Sequence, residues 1–206
     1  MSEADKNIPN LVLVSSSPYR RKQLEQLGLP FRAVVPKFEE DDTRSADPRE
    51  LVKVQARGKA MSVAEEFSNA ILIASDQAVW VDGEILGKPG NAERALEQLQ
   101  KMRRKLHKFY MGLFLYHTGL KQEQEHLVSG SGYFHRNLTD DELREYIALD
   151  QPFDCAGAAR IEGRGIMLYD SLRCDDWTAI IGLPLMTLTK ALRQWGYPIF
   201  PKKKTE

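Results

Sequence analysis

Residues 70–77 read Ala70-Ile71-Leu72-Ile73-Ala74-Ser75-Asp76-Gln77. Five apolar residues in a row, with no alternation, form the pattern of a short strand buried on both faces. Ser75-Asp76-Gln77 is expected to end that strand. An aspartate at such a strand end can hold a divalent metal or take a proton from water, and it also suits a simple turn.

Upstream, Leu11-Val12-Leu13-Val14 has the same buried-strand character. Ser15-Ser16-Ser17-Pro18 ends it and opens a short helix through Leu24 and Leu27, which Gly28 and Pro30 stop. Phe31 to Val35 reads as a further strand, followed by an acidic loop from Glu39 to Asp42. Asp47-Pro48 places a carboxylate at a helix N-cap and proline in the first turn. Leu51, Val54, Met61, Ala64 and Phe67 keep a helical period after it.

Downstream, Asp82-Gly83 between Val79-Trp80-Val81 and Glu84-Ile85-Leu86 is a two-residue hairpin signal. Asn91 caps a helix carrying Ala95, Leu99 and Met102. Phe109 to Tyr116 and Val128 to His135 are expected strands, and Thr139-x-x-Glu142 is a capping box for the next helix. Ile166 to Tyr169 and Ala179 to Ile181 are read as short strands. Leu185, Leu188, Leu192 and Trp195 stripe a last helix. Strands alternating with helices first, then mostly paired strands, give an α/β class with a mixed sheet.

Lys and Arg number 29 and Asp and Glu number 29, a zero balance that argues against a general nucleic-acid binder. Two cysteines, Cys155 and Cys174, are too few for a disulfide framework and have no metal-ligand spacing. No stretch approaches the length of a membrane span. The chain is therefore expected to be a cytoplasmic protein with no nucleic-acid or membrane partner. Residues 1–10 are expected to be a disordered tail, 11–197 a single domain, and 198–206 a basic tail containing Lys202-Lys203-Lys204.

Three polar clusters carry anion chemistry. Ser15-Ser16-Ser17-Pro18-Tyr19-Arg20-Arg21 combines hydroxyls, amides at a helix start and two guanidiniums, which would cradle phosphate oxygens; a capped helix with a solvated basic face fits the same residues. Asp76 follows the central strand. Gly87-Lys88-Pro89 follows the hairpin, and no Walker A motif occurs anywhere. Other conspicuous residues read as structural. His107 is expected at the surface or core edge, Cys155 in packing, and Trp80, Trp177 and Trp195 as core or interface anchors.

In order along the chain, Ser-Ser-Ser-Pro-Tyr-Arg-Arg, Gly58-Lys59-Ala60, Ser75-Asp76-Gln77, Gly87-Lys88-Pro89, Asp154-Cys155-Ala156-Gly157, Ile161-Glu162-Gly163 and Ile181-Gly182-Leu183-Pro184-Leu185 closely resemble the Maf family of nucleoside triphosphate pyrophosphatases. The resemblance runs from about Leu11 to Trp195. It implies the Maf/ITPase-like fold: a long twisted mixed β-sheet with flanking helices and a cleft between two lobes. It also implies hydrolysis of an α–β phosphoanhydride to a nucleoside monophosphate and diphosphate, with a nucleoside triphosphate as partner; a homodimer is one assembly open to the chain.

Residue by residue, the resemblance makes Asp76 the proton acceptor, with Lys59 and Lys88 neutralising the triphosphate. Ser15, Ser17 and Arg20 match the phosphate-binding loop. Glu40 sits at the metal-binding position, with Glu39 one residue away. With Asp76 it would hold a divalent cation, Mg²⁺ or Mn²⁺. Tyr19, Gln77 and Glu162 match the positions that sort substrates. Relatives acting on dTTP and UTP usually carry Arg, Thr and Gln there, so this set resembles the branch acting on 7-methyl-GTP. A stacked aromatic ring and a carboxylate both suit a cationic base. Glu162 could instead accept hydrogen bonds from guanine. The rival expectations are a dTTP/UTP pyrophosphatase and a catalytically silent nucleotide-binding regulator of cell division. The chain departs from the family pattern at Met111-Gly112 (usually Thr-Gly), Val54 (usually Arg), Gln55 (usually apolar) and Cys174 (usually Gly).

Overall fold

β1 (Asn10–Val14) is buried from Leu11 to Val14, and it lies between two parallel neighbours, β2 (Phe31–Val34) and β3 (Ala70–Val81). The computed structural model describes residues 8–41 and 45–200. Asp42, most of the expected N-terminal tail and Lys202 to Lys204 thus lie outside the described residues. The parallel pairs require crossovers, supplied by α1 (Pro18–Glu25) and α2 (Pro48–Met61). Ser17 accepts from the Arg20 amide to cap α1, and Asp47 accepts from the Arg49 amide to cap α2. Gly28, at φ 64°, ends the α1 segment in the left-handed region.

β3 turns into β4 (Glu84–Leu86) through Asp82 and Gly83, at φ 49° and 88°, as a primed hairpin turn demands. α3 (Ala92–Met102) leads to β5 (Leu106–His117), which runs antiparallel to β3. β6 (Gln122–Phe134) pairs antiparallel with β5. After α4 (Asp140–Asp150), whose Thr139/Glu142 capping box is present, β7 (Tyr169–Cys174) adds the edge strand, and α5 (Leu185–Gln194) closes the fold. The sheet is mixed, seven-stranded and ordered β2-β1-β3-β5-β6-β7, with β4 on β3. Among the described residues no helix is long and apolar enough to cross a membrane.

The central strands β3 and β5 serve three hydrophobic clusters. Ile71 and Ile73 of β3, with Leu113 and Leu115 of β5, pack under α5, and Leu72, Ala74 and Phe114 pack under α2. Farther along, Val79, Val81, Phe109 and Met111 enter a separate core with α3 and α4. The changeover falls at Ser75-Asp76-Gln77. Gly112 lies beside it, because a Cβ there would sit 2.3 Å from the Val52 carbonyl oxygen of α2. Only a glycine lets the helix approach this closely, so Met111-Gly112 keeps the residue that the packing requires.

Several expectations need correction. Ser75-Asp76-Gln77 does not end its strand: β3 and β5 pair without a break from Ile71 to Trp80. Ile166 to Leu168 and Ala179 to Ile181 lie in 3-10 turns (Arg164–Leu168 and Trp177–Ile181), while Tyr169 begins β7. Apolar runs of three or four residues do not distinguish a strand from a buried helical turn. His107 is fully buried, boxed by Phe109, Phe134 and Tyr169. Trp177 is 62% exposed and anchors no core. Gln55, at a usually apolar position, is buried with no partner for its side-chain oxygen.

Candidate active site

The ten residues given a role in the site from the sequence line one cleft at the changeover between these hydrophobic clusters. Ser15 and Ser17 come from the β1–α1 turn, Tyr19 and Arg20 from the first turn of α1, Lys59 from α2, and Asp76 and Gln77 from the middle of β3. Lys88 follows β4, and Glu162 comes from the segment after α4. Glu40, not Glu39, is the acidic-loop residue on the cleft wall. Asp154, Cys155 and Ala159 also line it.

The floor is a chain of alternating charges. The Lys59 ammonium donates to Asp76 Oδ1 at 2.5 Å and pairs with Glu40 Oε1 at 2.8 Å. Glu40 Oε2 in turn accepts from Lys88 at 3.1 Å. The two lysines differ in exposure: the Lys59 side chain is 2% exposed and that of Lys88 59%. α2 can bring Lys59 so deep because Gly112 admits the helix. Gly58 leaves room for the Phe38 ring, where a Cβ would come 2.2 Å from Cε2. Phe38 packed there fixes the loop that delivers Glu40.

The two carboxyls are tuned apart. Burial raises Asp76 above the ordinary carboxylate value, against the opposing pull of Lys59 and Arg20. Burial pushes Glu40 up as well, but Lys59 and Lys88 outweigh it and hold the carboxyl at about 2. A pair separated in this way assigns Asp76 the more basic role and leaves Glu40 permanently ionised. Among the described residues no three His, Cys, Asp or Glu side chains converge as metal ligands. Two hard carboxylates sharing one ammonium nevertheless fit a Mg²⁺-type ion that takes its remaining ligands from phosphate oxygens and water.

The Ser15–Arg20 side is held by hydrogen bonds. Ser15 Oγ accepts from the Ser17 amide at 3.1 Å. Arg20 Nε donates to the Gly182 carbonyl at 2.9 Å, which also accepts from Ser75 Oγ at 2.9 Å. Gly182 holds φ 133°, so a side chain there would be strained. Gln77 Nε2 donates to the Ile180 carbonyl at 3.1 Å. The segment 176–183 is therefore a backplate for the Arg20, Ser75 and Gln77 side chains.

Tyr19, beside Arg20, and Glu162 also line the cleft. Desolvation at the cleft wall raises the Glu162 carboxyl, and Arg160 partly offsets it. Burial raises the Tyr19 phenol, against a hydrogen bond from Arg160. Burial, with Asp154 and Glu162, pushes the Cys155 thiol up to about 12, so it stays protonated and is no nucleophile near neutral pH. Sequence reading missed Arg160 and Asp150. The signals available were the paired Gly163 and Gly165, which mark a backbone drawn in close to something.

The Maf-like protein family model matches residues 10–195. The chain is 44% identical over 192 residues to a 7-methyl-GTP pyrophosphatase of Ralstonia nicotianae, covering 93% of this chain and 98% of that protein. It is 42% identical over 191 residues to one of Syntrophotalea carbinolica, covering 90% and 94%. A third, of Nitrosococcus oceani, is 42% identical over 191 residues, covering 93% and 96%. With nearly its whole described length matched in this way, the chain belongs to the Maf family.

Proposed function

We propose that this protein is a nucleoside triphosphate pyrophosphatase that cuts 7-methyl-GTP at its α–β phosphoanhydride, giving 7-methyl-GMP and diphosphate. The observation that carries the reading is the buried Lys59 between Asp76 and Glu40, flanked by Arg20 and Lys88. The relatives named for that substrate support the choice of base.

In this reading the triphosphate lies along the β1–α1 turn, with Ser15, Ser17 and Arg20 as donors to its oxygens. Lys59 and Lys88 balance the charge that builds on the departing diphosphate. Asp76 takes the proton of the water that attacks the α-phosphorus; its raised pKa makes it a better base than an exposed aspartate. Glu40 and Asp76 would hold a divalent cation, most simply Mg²⁺ or Mn²⁺, which supplies further charge neutralisation when bound. Tyr19 offers its ring to the cationic base and Glu162 its carboxylate, while Gln77 shapes the pocket floor.

The test is diphosphate release from a nucleotide panel with Mg²⁺. The expected order is 7-methyl-GTP ahead of GTP, dTTP and UTP. A preference for dTTP or UTP would move the chain to the pyrimidine branch. Binding without release would make it a silent regulator.

A further inference from the structure

Behind the wall that carries Glu162 lies a second ion-pair cluster with no part in the phosphate end of the cleft. Asp150, the last residue of α4, has a side chain with 0% exposure. Its carboxylate forms an ion pair with Arg160 Nη2 at 3.2 Å and accepts hydrogen bonds from Arg164 Nη1 at 2.9 Å and the Arg164 amide at 2.8 Å. A carboxylate buried this completely is costly unless it is paired and hydrogen-bonded, and here two arginines and a backbone amide meet it.

The segment from Ala158 to Gly165 is wrapped on this carboxylate. The Arg160 amide donates to the Tyr146 hydroxyl at 2.9 Å, and that hydroxyl donates to the Ala158 carbonyl at 3.2 Å. A Cβ on Gly163 would stand 2.5 Å from Asp150 Oδ2 and 2.7 Å from Arg160 Nε. One on Gly165 would stand 2.5 Å from the Arg160 carbonyl oxygen. Both glycines are thus what allow the backbone to close around Arg160. The same segment presents Ala159 and Glu162 to the cleft. The Arg160 guanidinium is also electrostatically coupled to the Tyr19 hydroxyl, which belongs to α1.

One cation therefore ties three things together: the buried Asp150, the segment bearing Glu162, and Tyr19 from another element. We infer that Arg160, anchored by Asp150, is a positioning residue for base selection, holding Tyr19 and Glu162 at the separation that grips the nucleobase. The inference rests on the reading of the cleft as a nucleotide site. An arginine suits the task because its planar fork can serve two partners at once, which a lysine does with less geometric control.

The consequence is a split in kinetics. Loosening the base end removes binding made equally in ground and transition states, so KM rises while kcat holds. The experiment compares wild type, Arg160→Met, Arg160→Lys and Tyr19→Phe on 7-methyl-GTP and GTP, with thermal melts as a folding check. For Arg160→Met the preference for 7-methyl-GTP over GTP should fall by about tenfold or more, through KM, with kcat within about threefold of wild type. Arg160→Lys should recover part of it. Tyr19→Phe keeps the ring and loses only the hydroxyl, so it should lower the preference in the same direction even if Arg160→Met does not fold. A wild type with the expected preference, and folded variants with unaltered ratios and KM, would overturn the role of Arg160 and leave the nucleotide reading intact. Loss of kcat with KM unchanged would overturn it too. A wild type that releases no diphosphate would overturn both.

Discussion

The Lys59 ammonium lies 2.5 Å from the Asp76 carboxylate, inside the fold, and the same ammonium holds Glu40 at 2.8 Å. One cation thus pulls down two acids from different elements, outweighing burial at Glu40, with help from Lys88, but not at Asp76. If it is replaced by a neutral side chain, the carboxylates face each other with only Lys88 and Arg20 nearby.

Lys59→Met should therefore abolish most activity. Loss of the cation raises Asp76 further and removes charge neutralisation at the leaving group. The expected fall in kcat/KM is about a hundredfold or more, read by diphosphate release from protein whose melt shows it folded. A folded variant with near-normal kcat/KM would remove Lys59 from the machinery.

Glu162→Gln keeps the volume and removes the charge. Its effect should fall on base choice: the preference for 7-methyl-GTP over GTP should shrink by about 1–3 kcal/mol, the range for a charge-assisted contact. Competition between the two nucleotides measures the ratio directly. An unaltered ratio would take Glu162 out of base recognition.

Gly112→Ala tests how the site is assembled. The added carbon would meet the Val52 carbonyl oxygen at 2.3 Å, backbone against backbone, so α2 must lift from the sheet. The expected cost is about 1–3 kcal/mol, as for overpacking generally, together with a loss of activity because Lys59 moves with the helix. Denaturant titration and kinetics on the same sample check both. Unchanged stability would contradict the packing argument.

His107 predicts a pH dependence of stability. Burial lowers its pKa from 6.5 to about 4; the Lys105 backbone pulls weakly the other way, yet neither ring nitrogen has a partner at hydrogen-bonding distance. The unfolded chain therefore takes up a proton near pH 6.5 that the folded chain refuses until about pH 4. This contribution is full above pH 6.5 and is lost as pH falls to about 4, amounting to about 3 kcal/mol. His107→Phe should flatten that part of the stability curve between those limits, measured by urea unfolding across pH. Parallel curves for the two proteins would show that the ring does not titrate in this way.

Much of this was legible in the residues. The buried runs at Leu11–Val14 and Ala70–Ala74, the Asp82-Gly83 turn and the Thr139 capping box all announce their elements through local chemistry, and each forms. The seven ordered motifs also drew together the polar residues that line the cleft. What stayed hidden depended on long-range pairing. Ser75 to Gln77 look like a strand end until β5 supplies ten residues of continuous partner, and their side chains find Gly182, Lys59 and Ile180 only in the fold. His107 is polar in sequence but sits opposite Gly132, where three aromatic rings close over it. The clamp on Arg160 escaped notice because Asp150 is ten residues away along the chain and signals nothing locally.

The most direct measurement of the central claim is diphosphate release from 7-methyl-GTP by wild type and by Asp76→Asn, each with Mg²⁺. The substitution keeps the size of the side chain but removes its ability to take a proton. Wild type should release one diphosphate per 7-methyl-GMP formed, and the folded variant should be slower in the chemical step by about a hundredfold or more. A folded Asp76→Asn protein that keeps most of the wild-type rate would contradict the account, as would a wild type that leaves the nucleotide uncut.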